Sequence, residues 1–276
     1  MVEPNRVMQH YEQTSLVERL QLALAAAGLG EERLSPDDLA PLDQFHSRGL
    51  AATVELAREL AIGSAMRVLD IGSGLGGPSR YLAATYGCRV DGIDLSQSFV
   101  DAANFLAERS ALAGKVKYQR GDALFLPFEA NTFDVAWTQH VAMNIGDREK
   151  HYREAFRVLR SGGRFGIYDV VAASDGPIHY PVPWACEPKM SFLVTADEMR
   201  AYLLEQGFRI VSEADRTEAG VAWFADHERA RARSASSQAL GLHLVMGPDF
   251  GVMTGNLGRN LREGRVALVQ AVVVKP

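Results

Sequence analysis

From Arg67 onward, short apolar runs alternate with longer stretches in which apolar residues recur every three or four positions. The short runs lie at 67–71, 88–94, 116–120, 132–139 and 164–169, with two more at 209–214 and 266–274. The longer stretches lie at 78–86, 97–113, 148–160 and 196–206, and a helical insertion is expected over roughly 220–262. Strands buried on both faces read as near-continuous apolar runs, whereas helices show a 3.6-residue period. The expected fold class is therefore α/β: a Rossmann-like, doubly wound, seven-stranded and mostly parallel sheet.

Punctuation agrees with these boundaries. Gly87 and Gly207 follow helices, Ser96 and Asp147 stand at N-cap positions, and Thr195-Ala-Asp-Glu198 is a capping box. Gly114 and Ser161-Gly162-Gly163 are expected to end the helices that start at 97 and 148. Before Arg67 there is no such alternation. Residues 1–30 are helical in pattern, Gly28, Gly30 and Pro36 break it, and a second helix spans Leu50 to Ala61. We read 1–66 as a helical lid or substrate-binding segment on a domain spanning 67–276. The proline- and aromatic-rich stretch at about 170–195 suits a loop that shapes a pocket, and with 220–262 it forms the expected cap insertions.

The most informative stretch is Val68-Leu-Asp70-Ile-Gly72-Ser-Gly74-Leu-Gly-Gly77. An apolar run ends in an acid, a glycine-rich turn follows, and Pro78 opens a helical pattern. Glycines admit positive φ and let a ligand lie against bare main chain, while the helix start offers free N–H groups. The spacing satisfies G-x-G-x-x-G, with Asp94 following at the distance of a dinucleotide-binding unit. A nicotinamide-dependent oxidoreductase thus remains an alternative. A pyrophosphate, however, gains nothing from Asp70; a ligand carrying an ammonium and a sulfonium does.

Composition narrows the class further. The chain has 276 residues, 47% apolar and 23% charged, with a formal charge of −5. That balance is not built to neutralise nucleic-acid phosphates, and Arg229-Ala-Arg231-Ala-Arg233 reads as the wet face of a helix. No apolar run reaches spanning length, and the polar stretch Met1–Gln9 does not resemble a secretory signal. Cys88 and Cys186 form neither a metal spacing nor a disulfide framework, and the histidines show no zinc-type pairing, so no metal is expected. A reduced cytoplasm and a place in secondary metabolism are the expectation.

Asp70-Ile-Gly72-Ser-Gly74-Leu-Gly76 resembles the first motif, acid-x-Gly-x-Gly-x-Gly, of the class I S-adenosylmethionine (SAM) dependent methyltransferases. Within that class the chain looks most similar to the ubiquinone/menaquinone-biosynthesis and sarcosine/dimethylglycine types. The resemblance implies SAM as cofactor, S-adenosylhomocysteine as product, and an antiparallel last strand. It assigns Asp70, Gly72, Ser73 and Gly74 to the cofactor loop, Asp94 to the ribose hydroxyls and Leu95 to the adenine face. It also assigns Asp122 and Ala123 to the adenine edge and Gln139 to the methionine end.

His140 is the expected acceptor-side base, since an imidazole near neutrality can take a proton from a nucleophile. A histidine that merely caps the strand is the bland alternative. Tyr11, His46, Asn144, Tyr168, His179 and Trp184, with His140, are the candidate acceptor-binding residues; each taken singly also reads as packing or surface. The partners expected are a small-molecule methyl acceptor and, through 220–262, a second copy of the chain. A SAM-binding regulator without activity is the rival from another class.

Overall fold

The computed structural model describes residues 15–174, 176–233 and 240–276; Tyr11 lies outside the described residues. Strands β1 (Arg67–Ile71), β2 (Arg89–Asp94), β3 (Val116–Arg120), β4 (Phe133–Gln139), β5 (Leu159–Ala172), β6 (Arg209–Asp215) and β7 (Val266–Val274) form one sheet. Their order is β3-β2-β1-β4-β5-β7-β6. Only β7 runs against its neighbours, pairing antiparallel with β5 and β6, while β1 to β5 pair in parallel. The strand order reverses between β1 and β4, the place where an open α/β sheet leaves a crevice at its carboxyl ends.

The helices are α1 (Leu16–Ala26), α2 (Pro36–Asp43), α3 (Gly49–Leu60), α4 (Gly77–Tyr86), α5 (Gln97–Arg109), α6 (Arg148–Val158), α7 (Ala196–Glu205), α8 (Thr217–Arg233), α9 (His243–Met246) and α10 (Phe250–Arg262). Adjacent strand residues point to opposite faces. Val68 accordingly joins Leu56 of α3, Leu82 of α4, Ala103 of α5 and Leu257 of α10 in one core. Leu69 joins Tyr152 of α6 and Leu203 of α7 in the core on the other face. A third cluster lies outside α5: Leu20 and Leu24 of α1 and Leu39 and Leu42 of α2 meet Ala102, Leu106 and Leu75 of the glycine loop. The N-terminal helices are thus anchored directly on the cofactor-loop region.

Three local expectations are corrected. Pro36 does not break structure; it opens α2 behind the Ser35 capping box, where its missing N–H is one that the first helical turn leaves unbonded anyway. The helix expected over 148–160 stops at Val158, and β5 begins at Leu159, paired with Phe133. Gly162, at φ +77°, takes up the extra residues as an irregularity in register rather than a turn. The helix begun at 97 ends at Arg109, because Ala111 adopts φ +55° before Gly114 is reached. No helix among the described residues is long and apolar enough to cross a membrane.

Candidate active site

After β1 the chain turns through Gly72, Gly74 and Gly76 at φ +75°, +52° and +77°. Two of these positions are also crowded: a Cβ on Gly72 would collide with Val141, and one on Gly76 with the Tyr118 ring and hydroxyl. The Gly72 and Ser73 N–H groups both donate to the Ile93 carbonyl, at 2.9 and 2.8 Å, which ties the loop to the end of β2. Asp94 completes the tie. One carboxylate oxygen accepts from the Gly74 N–H and the other from the Ser96 N–H, each at 2.9 Å. Every oxygen keeps a second lone pair, so the carboxylate can still take a diol. Leu95 beside it stands 67% exposed, an apolar side chain left uncovered at the loop.

Asp70 is buried, with the Ser79 hydroxyl donating to Oδ2 at 2.6 Å. Burial pushes its carboxyl up to about 7, opposed by the Ser79 bond and reinforced by the neighbouring Asp94 charge. A narrow cavity of about 30 Å³ opens here, lined among others by Asp43, His46, Asp70, Ser73, Trp137 and Gln139. Gln139 accepts the Trp137 indole N–H at 3.1 Å, but its amide Nε2 and the Ser73 hydroxyl are buried without a partner among the described residues. Orphaned donors of this kind normally signal a bound group.

His140 leaves β4 at φ +54°, with its N–H donating to the Tyr168 carbonyl at 2.8 Å. Its ring stacks on Tyr168 at 5.2 Å between centroids. Ser47 Oγ lies 3.1 Å from His140 Nε2 and 3.2 Å from the Tyr168 hydroxyl. Burial, with the His46 ring close by, holds this imidazole well below the usual histidine range. His46 Nε2 is 3.0 Å from the Gly49 carbonyl, so Nε2 carries the proton and Nδ1 the lone pair. Burial brings His46 down to about 4, and Arg48 pushes it in the same direction. Asp169 steadies the corner after β4: its Oδ1 accepts the Val141 N–H at 2.9 Å.

The other candidates are placed as follows. Asn144 is the exposed residue of a 3₁₀ turn whose Ala142 and Met143 are buried, and it donates to the Val141 carbonyl at 3.3 Å. Trp184 packs on the core that contains Met143 and Tyr168, its indole N–H held by Ser191 at 2.9 Å. Asp122 is exposed and caps its own turn through the Leu124 N–H at 2.8 Å, while Ala123 packs on the second core. His179 is drawn elsewhere: its backbone N–H bonds Asn260 at 2.9 Å and its ring meets Glu263 at 2.8 Å, so its segment docks on the end of α10. Sequence reasoning missed Asp43, Ser47 and Arg80. A dense polar run, Asp43-Gln-Phe-His-Ser-Arg48, between two helices was the available signal.

A sheet of this order, with a glycine loop after β1 and a carboxylate after β2, is of the Rossmann-like type. Residues 69–167 match the family described as "Methyltransferase domain". A sarcosine/dimethylglycine N-methyltransferase from Halorhodospira halochloris is 32% identical over 66% of this chain and 64% of its own length. A sterol 24-C-methyltransferase from Neurospora crassa is 31% identical over 58% of this chain and 44% of its own. The chain thus spans less than two thirds of these relatives. In fold it is similar to the [4+2]-cyclase SpnF, with a TM-score of 0.67 at 22% identity, covering 94% of this chain and 93% of that one. It is also similar to phosphoethanolamine N-methyltransferase 2 of Haemonchus contortus, with a TM-score of 0.70 at 18% identity, covering 91% and 59%.

Proposed function

We propose that this protein transfers a methyl group from SAM to a nucleophilic N, C or O atom of a small metabolite. The observation that carries the reading is the buried acid Asp70 beside a positive-φ glycine loop that Asp94 pins, within the residues that match a methyltransferase domain. No observation favours the nicotinamide alternative or an inactive regulator.

The residues present fit the cofactor. Asp94 has lone pairs for the ribose hydroxyls, and Leu95 offers an apolar face to the adenine. Asp122 and the Ala123 N–H serve the adenine edge. The buried Ser73 hydroxyl and Gln139 amide have unused donors for the methionine end. Bound SAM would supply a methyl already activated on its sulfonium sulfur, and transfer to the acceptor would release S-adenosylhomocysteine. What the chain adds is alignment and exclusion of water, and positioning of this kind contributes on the order of 7–11 kcal/mol.

On the acceptor side, Tyr168 and Ser47 hold the His140 ring in this reading; burial keeps it neutral but lowers its basicity, so the expected base near neutrality is corrected to a weaker one that acts through its placement. His46, Asn144, Trp184 and Tyr11 belong to the acceptor pocket in this reading; His179, docked on α10, does not. We place the enzyme in the cytoplasm and in secondary metabolism, without a nucleic-acid partner. The face formed by α8 to α10 is the one we assign to a homodimer.

Calorimetric titration with SAM, S-adenosylhomocysteine and NAD, repeated on Asp94→Ala, tests the proposal. Micromolar binding of the first two, lost in the variant and absent for NAD, is expected. Binding of NAD instead would overturn it.

A further inference from the structure

We infer that Asp43, a residue of the N-terminal segment, is the acceptor for the α-ammonium group of the cofactor. The inference rests on the SAM reading above and adds a binding residue that lies outside the matched domain. Asp43 closes α2 with its side chain only 1% exposed, and its Oδ2 takes the Arg80 Nη2 proton at 2.6 Å. The second oxygen, Oδ1, is buried and makes no hydrogen bond of ordinary geometry among the described residues, although the Gln44 amide stands near enough to favour the ionised carboxylate and Asp43 lines the cavity next to Asp70.

The pairing itself is informative. Guanidinium and carboxylate prefer two parallel hydrogen bonds. Here Arg80 Nε is also buried and without a partner, so the second bond of the fork is available and is not made. Asp43 therefore presents a free acceptor to the cavity. An acceptor buried unsatisfied is costly, and a bound donor removes that cost. Gly77 makes the approach possible, since a Cβ there would come within 2.5 Å of the Asp43 carbonyl and of Oδ1.

Charge selects the donor. Three carboxylates, Asp43, Asp70 and Asp94, gather at this end of the sheet; Arg80 acts on the first two, and the Asp94 charge raises Asp70. No group of side chains suited to a metal ion occurs among the described residues. An amino-acid ammonium brings a positive charge and three N–H donors, and the ribose end is already assigned to Asp94 on the far side of the loop. The plain alternative is that Asp43 serves only to neutralise Arg80.

The two roles separate in a variant-by-ligand cycle. S-adenosylhomocysteine and its analogue lacking only the α-amino group are titrated into wild-type protein and Asp43→Asn. Wild type is expected to prefer the amine-bearing ligand at least tenfold, and the variant to lose that preference while binding the analogue within about twofold of wild type. Because Asp43→Asn strips a buried arginine of its partner, the Asp43→Leu/Arg80→Met double variant, which removes the pair as a unit, is run beside it and should show the same loss. Equal weakening of both ligands, or an unchanged preference, overturns the inference and leaves the SAM reading standing. Wild-type protein that binds neither ligand overturns both.

Discussion

Replacing Asp70 by asparagine should stabilise the unliganded protein while weakening its hold on SAM. The carboxyl is buried, receives one hydrogen bond from Ser79, and is pushed up from 3.8 to about 7, with burial the largest cause. Linkage fixes the sign. An acid whose folded value lies above its unfolded one favours the folded state when protonated, and that contribution is lost as pH rises through about 7. At pH 8 the ionised carboxylate therefore opposes folding by an amount on the order of 4 kcal/mol if the whole shift is felt. Asparagine keeps an oxygen for the Ser79 hydroxyl and carries no charge.

Urea and thermal unfolding of Asp70→Asn at pH 8 should show a gain of about 2–4 kcal/mol, or roughly 4–8 °C in Tm for a chain of this size. At pH 5 the gain should shrink below about 2 kcal/mol, because the wild-type carboxyl is then protonated in the fold. Calorimetry at pH 8 should show SAM binding at least tenfold weaker. A variant less stable than wild type at pH 8, or a gain independent of pH, would refute the reasoning.

Four further outcomes are expected. Gly72→Ala should cost about 2 kcal/mol or more in urea unfolding, because it places a Cβ at φ +75° against Val141. SAM affinity should fall at least tenfold between pH 8 and pH 5.5 as Asp70 (about 7) and Asp43 (about 6) take up protons. S-adenosylhomocysteine, without the sulfonium charge, should lose less; a flat profile for SAM refutes this. Arg80→Met alone should cost about 3–5 kcal/mol by leaving Asp43 charged and unpaired, and adding Asp43→Leu should recover most of it in the same unfolding assay. His140→Ala should lower turnover with SAM affinity unchanged in calorimetry, and full turnover would remove its role as base.

The main domain was legible because its signals are local. Asp70 and the glycines announce themselves in one short stretch, and Asp94 is found by counting from them. Gly87, Ser96 and Thr195-Glu198 act within a turn of their own helix, and each caps as expected. Errors arose where a local signal had two outcomes. Pro36 could end a helix or begin one, and Ser161-Gly162-Gly163 could turn the chain or bulge a strand; pairing with Phe133 and Lys275 decided for the strand. For Asp43 and Ser47 the sequence offered only the polar run that holds them, and for Arg80 nothing. Their partners lie far off in sequence, 37 residues for Asp43 with Arg80 and 121 for Ser47 with Tyr168, and no periodicity encodes such meetings.

Those long-range meetings bear on what the fold is for. A [4+2]-cyclase shares this architecture, so the sheet does not select methyl transfer; the chemistry has to come from the site. A neutral ligand would leave Asp43 and Asp70 lining one cavity with the Arg80 charge acting on both, each held above its ordinary range by burial. A cationic ligand reverses that penalty, because the charge that destabilises the empty site becomes the source of its affinity. The N-terminal helices take part in this balance: α2 delivers Asp43, the following corner delivers His46 and Ser47, and Leu75 of the glycine loop is buried among the leucines of α1 and α2. Residues 15–66 therefore pack on the glycine loop and line the cavity beside it, and on the proposed reading cutting them away should abolish SAM binding in calorimetry even though the glycine loop and Asp94 would remain.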